Sequence, residues 1–214
     1  MTDPQRSLIA VLLDRSGSME SIKSDTEGGF NAFIAEQRKG AGDVRVTLAQ
    51  FDTEYEVVYA NRPVRDVPRL ALQPRGGTAL YDSVGKLITS VGAELATLPD
   101  RERPGKVIVV VLTDGHENSS TEWTHDAVST AIRRQEHDYS WDFVFLGANI
   151  DAVAIGQQLG FAAEKSMTYA ADGDGVGSAW ASTTAYVSRR MAAPAGAAVE
   201  GFSEEERTAA RGNR

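Results

Sequence analysis

The chain has 214 residues, 42% hydrophobic and 24% charged, a composition typical of a soluble globular protein with a sizeable core. Its net charge of −8 and its pI of about 5.0 argue against nucleic-acid binding through phosphate neutralisation. The absence of cysteine excludes disulfides, thiolate metal sites and cysteine catalysis.

The sequence gives no sign of membrane attachment or export. No apolar stretch approaches the roughly 18 to 20 residues that are needed to span a membrane. The first residues, Met1 to Arg6, are polar and lack a basic segment followed by a separate apolar one, so a secretory signal is not expected. The sequence therefore predicts a cytoplasmic protein.

The first predicted strand is an unbroken apolar run, residues 8–13, that stops at the carboxylate of Asp14. Such a run is typical of a strand that is buried on both faces of a parallel sheet. Ser16 and Ser18 follow, and Gly17 allows a turn tight enough to bring the three side chains together. These oxygen ligands suit Mg²⁺ or Mn²⁺, but capping of a turn by Asp14 or of the next helix by a serine explains them equally well.

A helix over residues 20–39 and an antiparallel hairpin are predicted next. The hairpin strands, residues 44–51 and 55–60, are separated by only three residues, which requires antiparallel pairing. Gly28 and Gly29 lower the helix propensity, so we expect them to allow a close approach of this helix to the sheet.

The middle of the chain combines a loop with an amphipathic helix. Residues 61–74 contain three prolines and no clean periodicity, which predicts a loop across one end of the sheet. Thr78 then follows two glycines and precedes a helix predicted over residues 80–98. The simplest role for Thr78 is as the N-cap of that helix, unless the loop lies beside other ligands.

A second strongly apolar strand, residues 107–113, also stops at a carboxylate, that of Asp114. The helix that follows is predicted over residues 122–136, with a cap supplied by Ser119, Ser120 or Thr121. Four further elements are predicted: a strand (141–147), a short helix (151–160), a short edge strand (166–169) and a helix (172–190).

We predict a single domain over residues 1–192, because neither an internal repeat nor a second core is evident. The remaining residues, 193–214, form a predicted C-terminal tail that is loosely ordered or contains a short capped helix starting near Ser203.

Alternation of strands and helices predicts an α/β fold, an open and mostly parallel sheet with helices on both faces. Ligands of such sheets bind beyond the carboxyl ends of the strands, where neighbouring connections leave to opposite faces. Asp14 and Asp114 end the two most apolar strands, which we expect to be central neighbours. The loop that carries Thr78 must return to that edge, so all these oxygen groups should lie together.

The combination resembles the von Willebrand factor type A (vWA) family and its metal-ion-dependent adhesion site (MIDAS). The matching motifs are D-x-S-G-S at Asp14, Ser16 and Ser18, G-G-T ending at Thr78, and T-D-G at Asp114. They occur in the order and approximate spacing found in the family.

The resemblance covers about residues 6–190 and implies a Rossmann-like central sheet with one antiparallel edge strand, here residues 55–60. It also implies that the two serines and the threonine bind a metal directly or through water. The two aspartates would coordinate directly or through water molecules of the next shell.

Two carboxylates and three hydroxyls would leave a cation with room for an outside oxygen, which an Asp or Glu of a protein partner can supply. We therefore predict a non-enzymatic, cation-dependent protein-binding module that uses Mg²⁺ or Mn²⁺, with Ca²⁺ less suitable. One alternative is a metal-dependent phosphoryl-transfer enzyme, since haloacid-dehalogenase phosphatases also place an aspartate after the first strand. Those enzymes carry a second aspartate where this chain has Ser16. Another alternative is a structural subunit with a non-essential metal site.

The sequence leaves the roles of several residues near the predicted site undecided. Arg15 is expected to point outward, where it could contact an acidic group of the partner. Met19 and Tyr81 could form an apolar rim or pack inside. His116 and Glu117 suggest hydrolysis, but a solvated loop pair is the simpler explanation. The tail could also occupy the site, within one molecule or between neighbours, through its acidic run Glu204, Glu205 and Glu206.

Overall fold

The computed structural model describes residues 2–194 and 196–212, and these residues form a sheet between two layers of helices. Within them, six strands pair in the order β3-β2-β1-β4-β5-β6. The strands are β1 (Asp3–Asp14), β2 (Asp43–Phe51), β3 (Tyr55–Pro63), β4 (Pro104–Thr113), β5 (Asp142–Ala148) and β6 (Ser166–Tyr169).

The sheet is parallel except at one edge. β1 lies between β2 and β4 and is parallel to both, whereas β3 pairs with β2 in the antiparallel direction. The predicted mostly parallel sheet with an antiparallel edge strand is thus confirmed. In the register of β1 and β4, Leu13 lies opposite Leu112. Asp14 and Asp114 therefore lie at the same edge of the sheet.

Helices cover both faces of the sheet. They are α1 (Lys23–Gln37), α2 (Leu80–Thr97), α3 (His125–Tyr139), α4 (Ala152–Leu159), α5 (Gly173–Ala192) and α6 (Glu204–Arg211). Alternate side chains of β1 enter two separate cores, one with α1, α5 and α6 and the other with α2, α3 and α4. This two-sided burial explains the unbroken apolar run. None of the helices in the described part of the chain is long and apolar enough to cross a bilayer.

The start of α3 differs from its prediction. α3 begins at His125 and its N-cap is Thr124, whose hydroxyl accepts a hydrogen bond from a backbone N–H. The reason is Asp82 in α2, whose carboxylate accepts three consecutive backbone N–H groups, those of residues 121–123, and holds this segment in a loop. The prediction that Ser119, Ser120 or Thr121 caps this helix was therefore wrong.

The two glycines of α1 have different surroundings. A Cβ atom built on Gly29 would lie 2.2 Å from Cδ1 of Trp180 in α5, whereas nothing lies within 4 Å of a Cβ atom at Gly28. The close approach is therefore between α1 and α5 at Gly29, not between α1 and the sheet as predicted.

We expect Gly29→Ala to lower the free energy of unfolding by about 1 to 3 kcal/mol, because the new methyl group overlaps a buried indole ring. Gly28→Ala is the matched control, and we expect it to raise the free energy of unfolding by up to about 1 kcal/mol through helix propensity. Urea unfolding of both variants measures the two effects. Equal shifts of the same sign would contradict this account of the helix contact.

Near the amino end of β5, a buried carboxylate ties α5 to the sheet. Asp142 accepts hydrogen bonds from the hydroxyl of Tyr186 (2.9 Å), from Nζ of Lys165 (2.8 Å) and from the guanidinium group of Arg190. Burial raises the pKa of Asp142, but the hydrogen bonds and charges of these partners outweigh it, so the pKa is lowered overall. The network fixes the carboxyl end of α5.

α6 follows a capping box, in which Ser203 and Glu206 exchange hydrogen bonds between side chain and backbone. The helix packs against α5 and β6, and Phe202 and Ala210 are buried in the same core as Trp180. The predicted domain boundary after residue 192 stays a prediction. Met1, Ala195, Asn213 and Arg214 lie outside the described residues.

The acidic run at the start of α6 lies far from the predicted metal site. Nη1 of Arg189, near the carboxyl end of α5, donates a hydrogen bond to Glu206 (3.1 Å). This end of α5 lies at the amino edge of the sheet, where its neighbour Arg190 pairs with Asp142. The predicted occupation of the site by these glutamates within one molecule is therefore wrong.

Candidate metal centre

The first loop of the site starts at Asp14, the last residue of β1, which is fully buried. One carboxylate oxygen of Asp14 accepts the backbone N–H of Ser16 (2.6 Å), and the other accepts the hydroxyl of Thr113 (2.5 Å). The turn-capping role considered for Asp14 is thus present. It orients the carboxylate and leaves it beside the hydroxyl groups of the same loop.

The hydroxyls of the first loop meet the carboxylate of the third loop, which follows β4. Oγ of Ser18 donates to Oδ1 of Asp114 (2.7 Å), and Oγ of Ser16 lies 3.4 Å from the same oxygen. The two serine oxygens are 3.1 Å apart. Ser18 is exposed while Ser16 is buried, so this group of oxygens opens to solvent at the carboxyl edge of the sheet.

Thr78 lies in the second loop, between β3 and α2, next to the oxygen atoms of Ser16, Ser18 and Asp114. Its backbone N–H donates to the side chain of Asn118 (2.9 Å), and its C=O accepts the N–H of Asn118 (3.0 Å). The N-cap position of α2 is occupied by Ala79, so Thr78 does not cap that helix. A Cβ atom built on Gly115 would lie 3.1 Å from Oγ1 of Thr78 and 4.0 Å from Oγ of Ser18.

The electrostatic environment suits a cation. Burial raises the pKa of Asp14 to about 6, against the opposing effect of the hydrogen bonds from Thr113 and Ser16, and burial also raises the pKa of Asp114. The neighbouring Arg15 pairs with other carboxylates. In the part of the chain that the structure describes, neither the buried carboxylate of Asp14 nor the half-buried carboxylate of Asp114 is paired with a cationic side chain, and a bound metal ion would supply the missing positive charge.

The donor set consists of oxygen atoms. Within residues 2–194 and 196–212, no three or more His, Cys, Asp or Glu side chains cluster in a metal-binding arrangement. A metal at this edge would therefore depend on the hydroxyls of Ser16, Ser18 and Thr78 as well as the two aspartates. Hard cations such as Mg²⁺ and Mn²⁺ accept such ligands.

The predicted outward orientation of Arg15 is wrong. Its side chain is 7% exposed, and it donates to Asp52 (2.8 Å) and to Glu56 (2.5 Å) of the β2–β3 hairpin. Met19 is fully buried in the core, so it does not form an exposed rim. Tyr81 is partly buried and packs edge-on against the ring of His125.

Glu117 organises the third loop. Its carboxylate accepts the backbone N–H groups of Ser119 and Ser120 and the hydroxyl of Ser120, all between 2.7 and 2.8 Å. It also accepts the N–H of Tyr81 at the start of α2 (2.9 Å). These contacts connect the third loop to the first turn of α2, and His116 beside Glu117 is exposed.

Three residues that hold the site were not recognised in the sequence. Thr113 donates a hydrogen bond that orients Asp14. Asn118 forms hydrogen bonds with both the backbone N–H and the backbone C=O of Thr78. The backbone C=O of Asp52 accepts the N–H of Ala79 (2.9 Å). The T-D-G motif contains Thr113 and could have indicated it. No local pattern points to Asn118 or Asp52, because their partners are distant in sequence.

No protein-family model and no curated protein sequence matches the chain. Solved structures of vWA domains do match in fold. Proximal thread matrix protein 1 from the mussel byssus, in a structure described as having a zinc-occupied MIDAS motif, is 15% identical with a TM-score of 0.58. That alignment covers 84% of this chain and 47% of the mussel protein.

Two bacterial structures are also similar. A von Willebrand factor type A protein from Catenulispora acidiphila is 17% identical, with a TM-score of 0.57, over 85% of this chain and 42% of that protein. The vWF domain of the type V pilus tip protein Mfa5 from Porphyromonas gingivalis is 11% identical, with a TM-score of 0.63, over 90% of this chain and 98% of that domain.

These similarities define the fold. The chain has the fold of a von Willebrand factor type A domain, as its motifs had suggested. It spans less than half the length of the mussel and Catenulispora proteins. Because the solved structures include a pilus protein, the cytoplasmic location stays a prediction.

Proposed function

We propose that this chain is a divalent-cation-dependent protein-binding module. Asp14, Ser16, Ser18, Thr78 and Asp114 would hold Mg²⁺ or Mn²⁺, and an Asp or Glu of a protein partner would complete the coordination. The observation that carries the proposal is the contact between the first and third loops, where both serine hydroxyls reach Oδ1 of Asp114.

The chemistry of the donor set supports binding as the use of this site. The hydroxyls are neutral, so the two carboxylates of Asp14 and Asp114 would at most balance the charge of a divalent cation. A bound cation provides an electrophilic centre for an outside oxygen, and a carboxylate of the partner brings both an oxygen and a charge. The exposure of Ser18 supports a cation that a partner could reach from the surface.

The mussel protein also supports the choice of a divalent cation, since its MIDAS is described as holding zinc. At 15% identity this similarity concerns the fold, and the choice of Mg²⁺ or Mn²⁺ rests on the oxygen donors of this chain.

Affinity capture from the native host, in Mg²⁺ and in EDTA, tests the proposal. We expect a partner that is retained in Mg²⁺, released by EDTA and not captured by Asp14→Asn. Replacement of acidic residues at the partner's contact should then abolish binding. A partner that stays bound in EDTA, or that tolerates loss of every acidic residue there, would show that recognition occurs elsewhere.

The structural-subunit alternative predicts an association that is independent of metal. Under that alternative, Asp14→Asn and the wild-type protein would recover the same partner in EDTA and in Mg²⁺. The same capture experiment therefore separates the two functions.

We expect no turnover of a generic phosphomonoester above background. The carboxylate oxygens of Asp14 are buried and already accept hydrogen bonds from Ser16 and Thr113, which leaves Asp14 poorly placed as a nucleophile. A colorimetric assay with Mg²⁺ measures the rate. Turnover that disappears in Ser16→Ala would overturn the non-enzymatic assignment and favour phosphoryl transfer.

A further inference from the structure

Asp52 is a buried carboxylate that lies outside the proposed ligand set. It follows Phe51, the last residue of β2, and Phe51 pairs with Asp14 in the sheet. Its side chain is 1% exposed. Asp52 therefore lies directly beside the first loop of the site without being one of the five ligand residues.

One oxygen of Asp52 holds arginines from two different loops. Oδ2 accepts Nε of Arg15 (2.8 Å), which belongs to the first loop, and Nε of Arg75 (2.8 Å), which belongs to the second. Oδ1 accepts the backbone N–H of Glu54 (2.7 Å), which fixes the orientation of the carboxylate. The side chain is thus a junction between the two loops.

Backbone hydrogen bonds join the same loops. The N–H of Gly17 donates to the C=O of Gly76 (3.2 Å), and the N–H of Ala79 donates to the C=O of Asp52 (2.9 Å). Ala79 directly follows Thr78, so the second bond sets the position of this proposed ligand. The contacts of Asp52 therefore reach within one residue of a ligand in the second loop.

Asp52 is the carboxylate that both guanidinium groups share, while Arg15 also pairs with Glu56 and Arg75 also pairs with Glu54. The two guanidinium groups share one carboxylate oxygen and would repel each other without it. Arg15 is buried, so water cannot take the place of Asp52 at Nε, and Glu56 contacts a different nitrogen, Nη1. The backbone N–H of Arg75 also donates to the backbone C=O of Arg15 (2.8 Å). If the two arginine side chains moved apart, this backbone hydrogen bond between the loops would weaken as well.

We propose that Asp52 is a positioning residue of the metal site, which holds the second loop, and with it Thr78, against the first. This inference rests on the proposed function, because it concerns the assembly of that site. Replacement of residues that orient metal ligands typically weakens metal binding by about 10- to 100-fold.

The test is the affinity of Asp52→Asn for Mn²⁺, measured by calorimetry well below the melting temperature. Asparagine keeps the shape but lacks the charge that holds two arginines, so we expect Kd to rise by about 10- to 100-fold. The matched control is Asp142→Asn, which removes another buried, ion-paired aspartate near the opposite edge of the sheet. It should lower the melting temperature but leave Kd unchanged.

A second measurement does not depend on metal. Amide hydrogen exchange of the apo protein should be faster in Asp52→Asn at Gly17, Arg75 and Ala79, whose N–H groups join the loops. If Asp52→Asn does not fold, Arg75→Gln replaces it, because this arginine is 57% exposed. It should raise Kd severalfold.

The outcomes separate this inference from the proposed function. Wild-type protein that binds no Mn²⁺ would overturn the proposed function and the inference with it. Wild-type binding together with an unchanged Kd in a folded Asp52→Asn, or in Arg75→Gln if that variant replaces it, overturns the inference alone. An equal loss of affinity in Asp142→Asn also overturns it, because the effect would then reflect general destabilisation.

Discussion

Replacement of Asp14 by asparagine should weaken Mn²⁺ binding by at least about a hundredfold and leave the protein folded. Asparagine has the same shape, so its side-chain oxygen can still accept the N–H of Ser16 and its amide can donate to the hydroxyl of Thr113. What is lost is the negative charge of a fully buried carboxylate. Calorimetric titration measures the binding, and far-UV circular dichroism with a thermal melt reports on the fold.

Asp151→Asn is the control for this substitution. Asp151 is an exposed aspartate near the carboxyl end of β5, and it caps α4 by accepting the N–H of Ala154 (3.0 Å). Asparagine caps helices about as well, so this variant removes one negative charge from the carboxyl edge without touching a proposed ligand. We expect a nearly unchanged Kd. Equal losses in both variants would mean that Mn²⁺ responds to the general charge of this edge.

Excess Mg²⁺ should raise the free energy of unfolding by about 2.7 kcal/mol when its concentration is one hundred times Kd. For a chain of this size, that corresponds to an increase in melting temperature of roughly 5 to 10 °C. The physical reason is that Asp14, Thr78 and Asp114 are far apart in sequence, so the proposed site would form only in the folded state. Thermal melts in EDTA and in a series of Mg²⁺ concentrations measure the shift.

The same melts on Asp14→Asn provide the control, because Mg²⁺ should then have little effect on the melting temperature. Identical melts of the wild-type protein in EDTA and in Mg²⁺, without a calorimetric binding signal, would falsify the proposal of a metal site. A shift of equal size in Asp14→Asn would instead indicate a second, unrelated effect of the salt.

The two central strands were predictable because their environment leaves little choice of residue. Residues 8–13 and 107–113 are covered by helices on both faces, and a strand in that position must be apolar throughout. The hairpin was predictable for a similar local reason, since three residues can join only antiparallel neighbours. Edge details were less accurate, and β3 extends to Pro63 rather than ending at residue 60.

The proximity of the proposed ligands was also predictable, because ends of neighbouring parallel strands meet at one edge. Ser18 and Asp114 are 96 positions apart in sequence, yet their side chains are hydrogen-bonded at 2.7 Å. The orientation of these groups was not predictable. It depends on Thr113 at the end of β4 and on Asn118 in the third loop, whose partners Asp14 and Thr78 are distant in sequence.

Arg15, Gly29 and the cap of α3 show where prediction from the sequence failed. The sequence places an arginine next to the proposed ligands, but only the folded hairpin brings the carboxylate of Asp52 close enough to bury it. It places a glycine in a helix, but only the packing of α5 supplies the indole of Trp180 that requires it. Local patterns specify strands, helices and the edge where they end, since these depend on neighbours a few residues away. Partners of buried charges and close helix contacts are decided by the tertiary structure, because they join residues that meet only when the whole sheet is formed.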